Sequence, residues 1–101
     1  MKIKILVSAV EDLHEARIFY EAQGEGVGDY FFDSLFSDID SLVIHAGTHS
    51  KVDSFYRLLS RRFPYAVYYK VDGETIVVWR VLDLRRNPEH NHQALQGRKG
   101  R

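Results

Sequence analysis

The spacing of apolar residues changes period once along the chain, and that change limits what it can fold into. Phe31, Phe32, Leu35, Phe36, Ile39, Leu42 and Val43 recur at helical spacing. From Phe55 onward the period is that of strands, with Phe55 to Phe63, Tyr65 to Val71 and Thr75 to Leu84 as the expected segments. Pro64 separates the first two, and Asp72-Gly73 joins the last two as a tight hairpin. Ile76 to Leu82 is apolar at nearly every position, as expected of a strand covered on both faces. Near the start, Ile3, Ile5 and Val7 alternate as a short first strand. Ser8 and Glu11 stand at capping-box spacing, so a helix is expected to begin there, bury Leu13, Ala16 and Tyr20, and end at Gly24. The second helix is expected to stop at Gly47, followed by a loop to Asp53. The order β-α-α-β-β-β describes an α+β domain, a helical hairpin packed on an antiparallel meander. Residues 1–96 are expected to form this single domain, with 97–101 a basic, disordered tail.

Length and composition exclude several classes. A chain of 101 residues, 45% of them hydrophobic, supplies one modest core. With no cysteine it has no disulfide framework, no thiol catalysis and no thiolate zinc site. Met1 to Val7 is too short an apolar stretch for a signal peptide or a membrane span. The formal net charge of zero conceals two opposed halves. Residues 1–50 carry three basic residues, Lys2, Lys4 and Arg17, against nine carboxylates, a net of −6. Residues 51–101 carry eleven basic residues against five acidic ones, a net of +6.

Several groups are candidates for chemistry. Gly24, Gly26 and Gly28 follow a helix and lie beside acids, which reads as a helix-to-helix turn and not a phosphate cradle. His45 and His49 are split by Gly47, so a structural role is expected and no metal. His90 and His92 follow a basic cluster, where a histidine serves as general acid or base near neutral pH; the alternative is a mobile polar tail. Arg57, Arg61 and Arg62 are expected on the first meander strand, with Arg57 and Arg61 on one side of it. Arg80 lies on the third strand, and Arg85 and Arg86 at its end. Guanidinium groups suit phosphate oxygens, but they equally pair with carboxylates of the helices or of a partner chain. Tyr56, Tyr65, Tyr68, Tyr69 and Trp79 are expected in the core, with base stacking as the alternative.

Taken in order, Ala9-Val10-Glu11-Asp12-Leu13, Ile18-Phe19-Tyr20-Glu21, Gly28-Asp29-Tyr30-Phe31, Tyr56-Arg57, Arg62-Phe63-Pro64-Tyr65-Ala66-Val67-Tyr68-Tyr69 and Val81-Leu82-Asp83-Leu84-Arg85-Arg86-Asn87-Pro88 resemble the RelE/ParE family of toxins from bacterial type II toxin–antitoxin systems. The resemblance covers roughly residues 3–92. It implies the same fold, a cytoplasmic toxin, a cognate antitoxin and a hetero-oligomeric complex, with no cofactor and no membrane partner. It also implies one of two targets: DNA gyrase for the ParE branch, or the ribosome with messenger RNA for the RelE branch. RelE-like sites place an arginine directly after a tyrosine of the middle strand, another after the last strand, and a tyrosine near the C-terminus. Here Tyr65 is followed by Ala66, Arg86 matches the later arginine, and the terminal position falls at or near His92. The leading expectation is a ParE-like toxin. Behind it stand a RelE-like messenger-RNA endoribonuclease and a binding partner that has lost toxicity. Were the chain an enzyme, Arg61, Arg86 and His92 would be catalytic. Arg57, Arg62, Tyr65, Arg80, Arg85 and His90 are expected to bind the target or the antitoxin.

Overall fold

The computed structural model describes residues 1–97. Its elements are β1 (Lys2–Ile5), α1 (Val7–Gln23), α2 (Val27–Asp40), α3 (Leu42–His45), β2 (Lys51–Val52), β3 (Phe55–Leu59), β4 (Tyr65–Asp72), β5 (Thr75–Asp83) and α4 (Pro88–Gln96). The strands form one sheet in the order β1-β5-β4-β3-β2. The pairs β2–β3, β3–β4 and β4–β5 are antiparallel, whereas β1 runs parallel to β5, with Lys2 opposite Thr75 and Ile5 opposite Val78. This is the expected α+β fold, with the α1–α2 hairpin on one face of the sheet and α4 on the other.

Strand alternation sorts the side chains between two cores. Toward the hairpin, Tyr65, Val67 and Tyr69 of β4 and Ile76, Val78 and Val81 of β5 pack with Leu13, Phe31, Leu35 and Ile39. On the outer face, Phe55, Ala66, Tyr68 and Leu82 pack with Leu95 of α4. Three of the five aromatics expected in the core, Tyr65, Tyr68 and Tyr69, are buried, while Tyr56 and Trp79 are half-buried. A bulge interrupts the β4–β5 register: Tyr68 faces Arg80 and Tyr69 faces Val78, which leaves Trp79 unmatched.

Several boundaries differ from expectation for identifiable reasons. The first strand ends at Ile5, not Val7, and beyond it α1 takes over the outer edge of β5. Leu6 N donates to Val78 O at 3.0 Å, Ser8 Oγ to Trp79 O at 2.8 Å, and Val81 N to Asp12 Oδ2 at 2.9 Å. Ser8 is thus engaged with the sheet and forms no capping box; Leu6 is the N-cap. The second helix breaks at Ser41, whose hydroxyl donates back to Asp38 O at 2.6 Å, and Leu42–His45 forms a separate turn. The expected loop up to Asp53 contains β2, joined to β3 through Asp53 and Ser54, both left-handed with φ of 52° and 72°. β3 ends at Leu59, so Arg61 and Arg62 lie in the β3–β4 connection and not on a strand with Arg57.

The segment carrying His90 and His92 is helix α4. Asn87 Oδ1 accepts from Glu89 N at 2.8 Å and Pro88 opens the first turn, a helix start that satisfies donors the helix itself leaves orphaned. Of the expected tail, Gly97 closes α4, and residues 98–101 lie outside the described residues. In the glycine turn, Glu21 accepts from Gly26 N at 3.0 Å and Gly28 N at 2.9 Å, so a carboxylate of the chain itself fills the anion position at the start of α2.

Candidate functional site

The expected site residues fall into three clefts. The first, a cavity of about 200 Å³, gathers Arg57 from β3, Arg86 from the connection after β5, and His92 from α4, together with Asp53, Tyr68 and Asn91. Arg57 arrives there because it stands opposite Tyr68 on the outer face. His92 lies in the second turn of α4, where its Nδ1 is 2.8 Å from Asp53 Oδ2. That hydrogen bond, followed by the charge of Asp53, lifts His92 above the ordinary histidine range and favours the imidazolium. Burial pushes the Tyr68 phenol up, partly opposed by Arg57 beside it. On the wall, Asn91 Nδ2 donates to Asp83 O at 2.9 Å, while its buried Oδ1 has no partner.

The second cleft, about 300 Å³, lies between α1, the end of β5 and the start of α4, and is lined by Tyr65, Arg80, Arg85 and His90 among others. Arg86 borders this cleft as well as the first, and here Arg80 and Arg85 are committed to carboxylates. Arg80 forms a fork on Asp12, with Nε 2.7 Å from Oδ2 and Nη2 2.8 Å from Oδ1, and its Nη1 reaches Ala94 O of α4 at 3.3 Å. Burial raises the Asp12 carboxyl despite this fork, whereas the hydrogen bond to Asp12 raises Arg80. The opposite balances fit a carboxylate that loses more hydration than the fork returns. Arg85 forks onto Asp83 at 2.9 and 2.8 Å, with Tyr20 Oη at 3.3 Å. Burial alone would raise Asp83, but the bonds from Arg85 outweigh it and hold the carboxyl below its usual range. Tyr65 is pushed up to about 12, first by burial and then by the charge of Asp83.

The third cleft, about 250 Å³ on the helical side, holds Arg61 and Arg62 with Ser34, Ser37 and Asp38. Of the three residues expected to be catalytic, Arg86 and His92 therefore share a cleft, and Arg61 lies elsewhere. Asp53 and Asn91 are the neighbours that sequence reasoning missed. Ala66 is fully buried in the outer cluster with Leu95. His49 Nδ1 is 2.5 Å from Tyr69 Oη, a bond within the fold. Among the described residues no helix is long and apolar enough to cross a membrane.

Comparison with known proteins follows the same outline. A family model described as the ParE toxin of the type II toxin–antitoxin system parDE matches residues 3–88. Among solved structures, a chain of the chromosomal ParDE toxin–antitoxin system from P. aeruginosa is similar, with a TM-score of 0.70 and 19% sequence identity. The likeness covers 83% of this chain and 96% of that one, and it is a likeness of fold. No curated protein matches the sequence.

Proposed function

The chain belongs to the ParE toxin family of type II toxin–antitoxin systems, and from that premise we propose that it arrests growth by binding a cellular target such as DNA gyrase, in the cytoplasm, until a cognate antitoxin neutralises it in a hetero-oligomeric complex. The observation that favours binding over RNA cleavage is Ala66. The position where RelE-like sites carry an arginine is fully buried beneath α4, so it presents no cation to a scissile phosphate. Arg80 and Arg85 are likewise occupied by Asp12 and Asp83.

A second reading, a RelE-like endoribonuclease, draws support from one feature, the convergence of Arg57, Arg86 and His92 in a single cleft. In that reading the arginines hold the phosphate and the imidazolium of His92, oriented by Asp53, delivers a proton to the leaving oxygen. Induction in cells, followed in parallel by gyrase supercoiling and by mapping of RNA ends, separates the two. The first reading expects loss of supercoiling with messages intact. Codon-by-codon cuts that disappear in Arg86→Ala/His92→Ala would establish the second in its place.

A further inference from the structure

On the outer face α4 ends at Gln96, and its Leu95 packs with Phe55, Ala66, Tyr68 and Leu82. Toward the Asp72-Gly73 hairpin, Ile3, Ile5, Tyr69, Ile76 and Val78 point into the core under the helices. Alternation therefore places Lys2, Lys4, Lys70 and Val77 on the opposite, outer side. Register arranges three of them in a row across the strands: Lys4 stands opposite Val77, and Val77 opposite Lys70. The two lysines are two strand spacings apart, about 10 Å, with an apolar seat between them. Lys70 Nζ lies 4.7 Å from the ring centroid of Phe55 and 5.3 Å from that of the half-buried Trp79, so the row borders an aromatic surface. Among the described residues neither lysine is paired with a carboxylate, unlike Arg80 and Arg85.

A cation, an apolar side chain and a cation at intervals of about 5 Å complement an acid, an apolar residue and an acid one helical turn apart, because a turn rises about 5.4 Å. An extended chain places same-side residues about 6.6 Å apart and drifts out of step. We propose that the Lys4–Val77–Lys70 row is where an acidic amphipathic helix of the antitoxin crosses the strands, its carboxylates on the two lysines and its apolar residue over Val77 beside Trp79. This rests on the antitoxin reading above and adds the surface and the chemistry of the segment that covers it.

The probe is the antitoxin encoded beside this chain's gene, fluorescently labelled, titrated with the full chain and followed by anisotropy across a salt series. Lys4→Glu/Lys70→Glu is expected to weaken binding about tenfold at low salt and to flatten the salt dependence, as loss of two partly exposed ion pairs does. Lys4→Gln/Lys70→Gln, which removes the charges and keeps polar side chains one atom shorter, is expected to show a smaller loss in the same direction, and it serves if the Glu variant fails to fold by circular dichroism. Wild-type affinity in folded variants of both kinds overturns the surface and leaves the antitoxin reading standing. A wild-type chain that does not bind the antitoxin overturns that reading and the surface with it. Oligothymidylate binding more tightly than antitoxin, and lost in the same variants, would reassign the face to nucleic acid and overturn the proposal.

Discussion

Replacing Asp12 with alanine removes three donors' shared acceptor at once: Arg80 Nε at 2.7 Å, Arg80 Nη2 at 2.8 Å and the Val81 amide at 2.9 Å. The side chains of the pair are only 16% and 12% exposed, so water from the adjoining cleft only partly replaces what is lost. Breaking such a pair costs about 3–5 kcal/mol, most of it from the charge left behind. Arg80 keeps Ala94 O as a partner, which places Asp12→Ala toward the lower end, about 3 kcal/mol. For a domain of this size that is a fall in Tm of roughly 15 °C. The raised carboxyl of Asp12 adds a second expectation. Because the folded state binds this proton more readily than the unfolded chain, the group's contribution is fully present below the ordinary carboxylate value and declines as pH rises through the folded pKa. At neutral pH the intact pair therefore adds little net stability, and Asp12→Leu/Arg80→Met is expected within about 1 kcal/mol of wild type. Urea unfolding followed by the fluorescence of Trp79, the sole tryptophan, gives all the terms of this cycle. A loss below about 1 kcal/mol for Asp12→Ala, or a double variant as unstable as the two single changes summed, would refute the reasoning.

Other positions give equally definite expectations. Ala66→Arg puts a charge into a fully buried site under Leu95, so it is expected to cost more than about 3 kcal/mol and to yield no ribonuclease; a stable variant that cuts RNA would contradict this. A Cβ at Gly28 would stand 2.6 Å from Arg17 O, and Gly28→Ala is expected to lose about 2 kcal/mol in chemical denaturation by forcing α1 and α2 apart; an unchanged midpoint would count against that close approach. Ser54→Gly relieves a left-handed residue with φ of 72° and is expected to stabilise by about 0.5–1 kcal/mol, a rise that a thermal melt either shows or does not. The His92–Asp53 tie, with its raised histidine, is fully present below the ordinary histidine value of about 6.5 and lost as pH rises through the folded pKa. Hydrogen-exchange protection of α4 should fall over that window in wild type and stay level in Asp53→Asn.

The elements were readable where a local signal existed. The period-two runs of β4 and β5 and the Asp72-Gly73 hairpin appear as expected, with Gly73 in the left-handed region at φ 60°. Helix α4 carries little periodic signal because Ala94 and Leu95 are too few to show an apolar face, although Asn87-Pro88-Glu89 spells out a helix start. Arg57 and Arg61 parted because β3 ends two residues before Arg61, a boundary that alternation alone does not mark. The partners at the clefts were beyond local reading altogether. Asp53 and His92 are separated by 39 positions and Asp12 and Arg80 by 68, and only the sheet register and the placement of α1 and α4 bring them together. Alternation on β1 and β4 already set Lys4 and Lys70 on one side of their strands, but the row they form depends on β1 pairing in parallel with β5.

That parallel pairing also governs the order in which the chain becomes whole during synthesis. β1 leaves the ribosome well before the strand it pairs with, Thr75–Asp83, and Asp12 must wait equally long for Arg80. The α1–α2 hairpin, tied by Glu21 to its own glycine turn, closes from contacts within a few dozen residues and forms early. The sheet cannot close until β5 has cleared the exit tunnel, so β1 stays unpaired on the nascent chain until then.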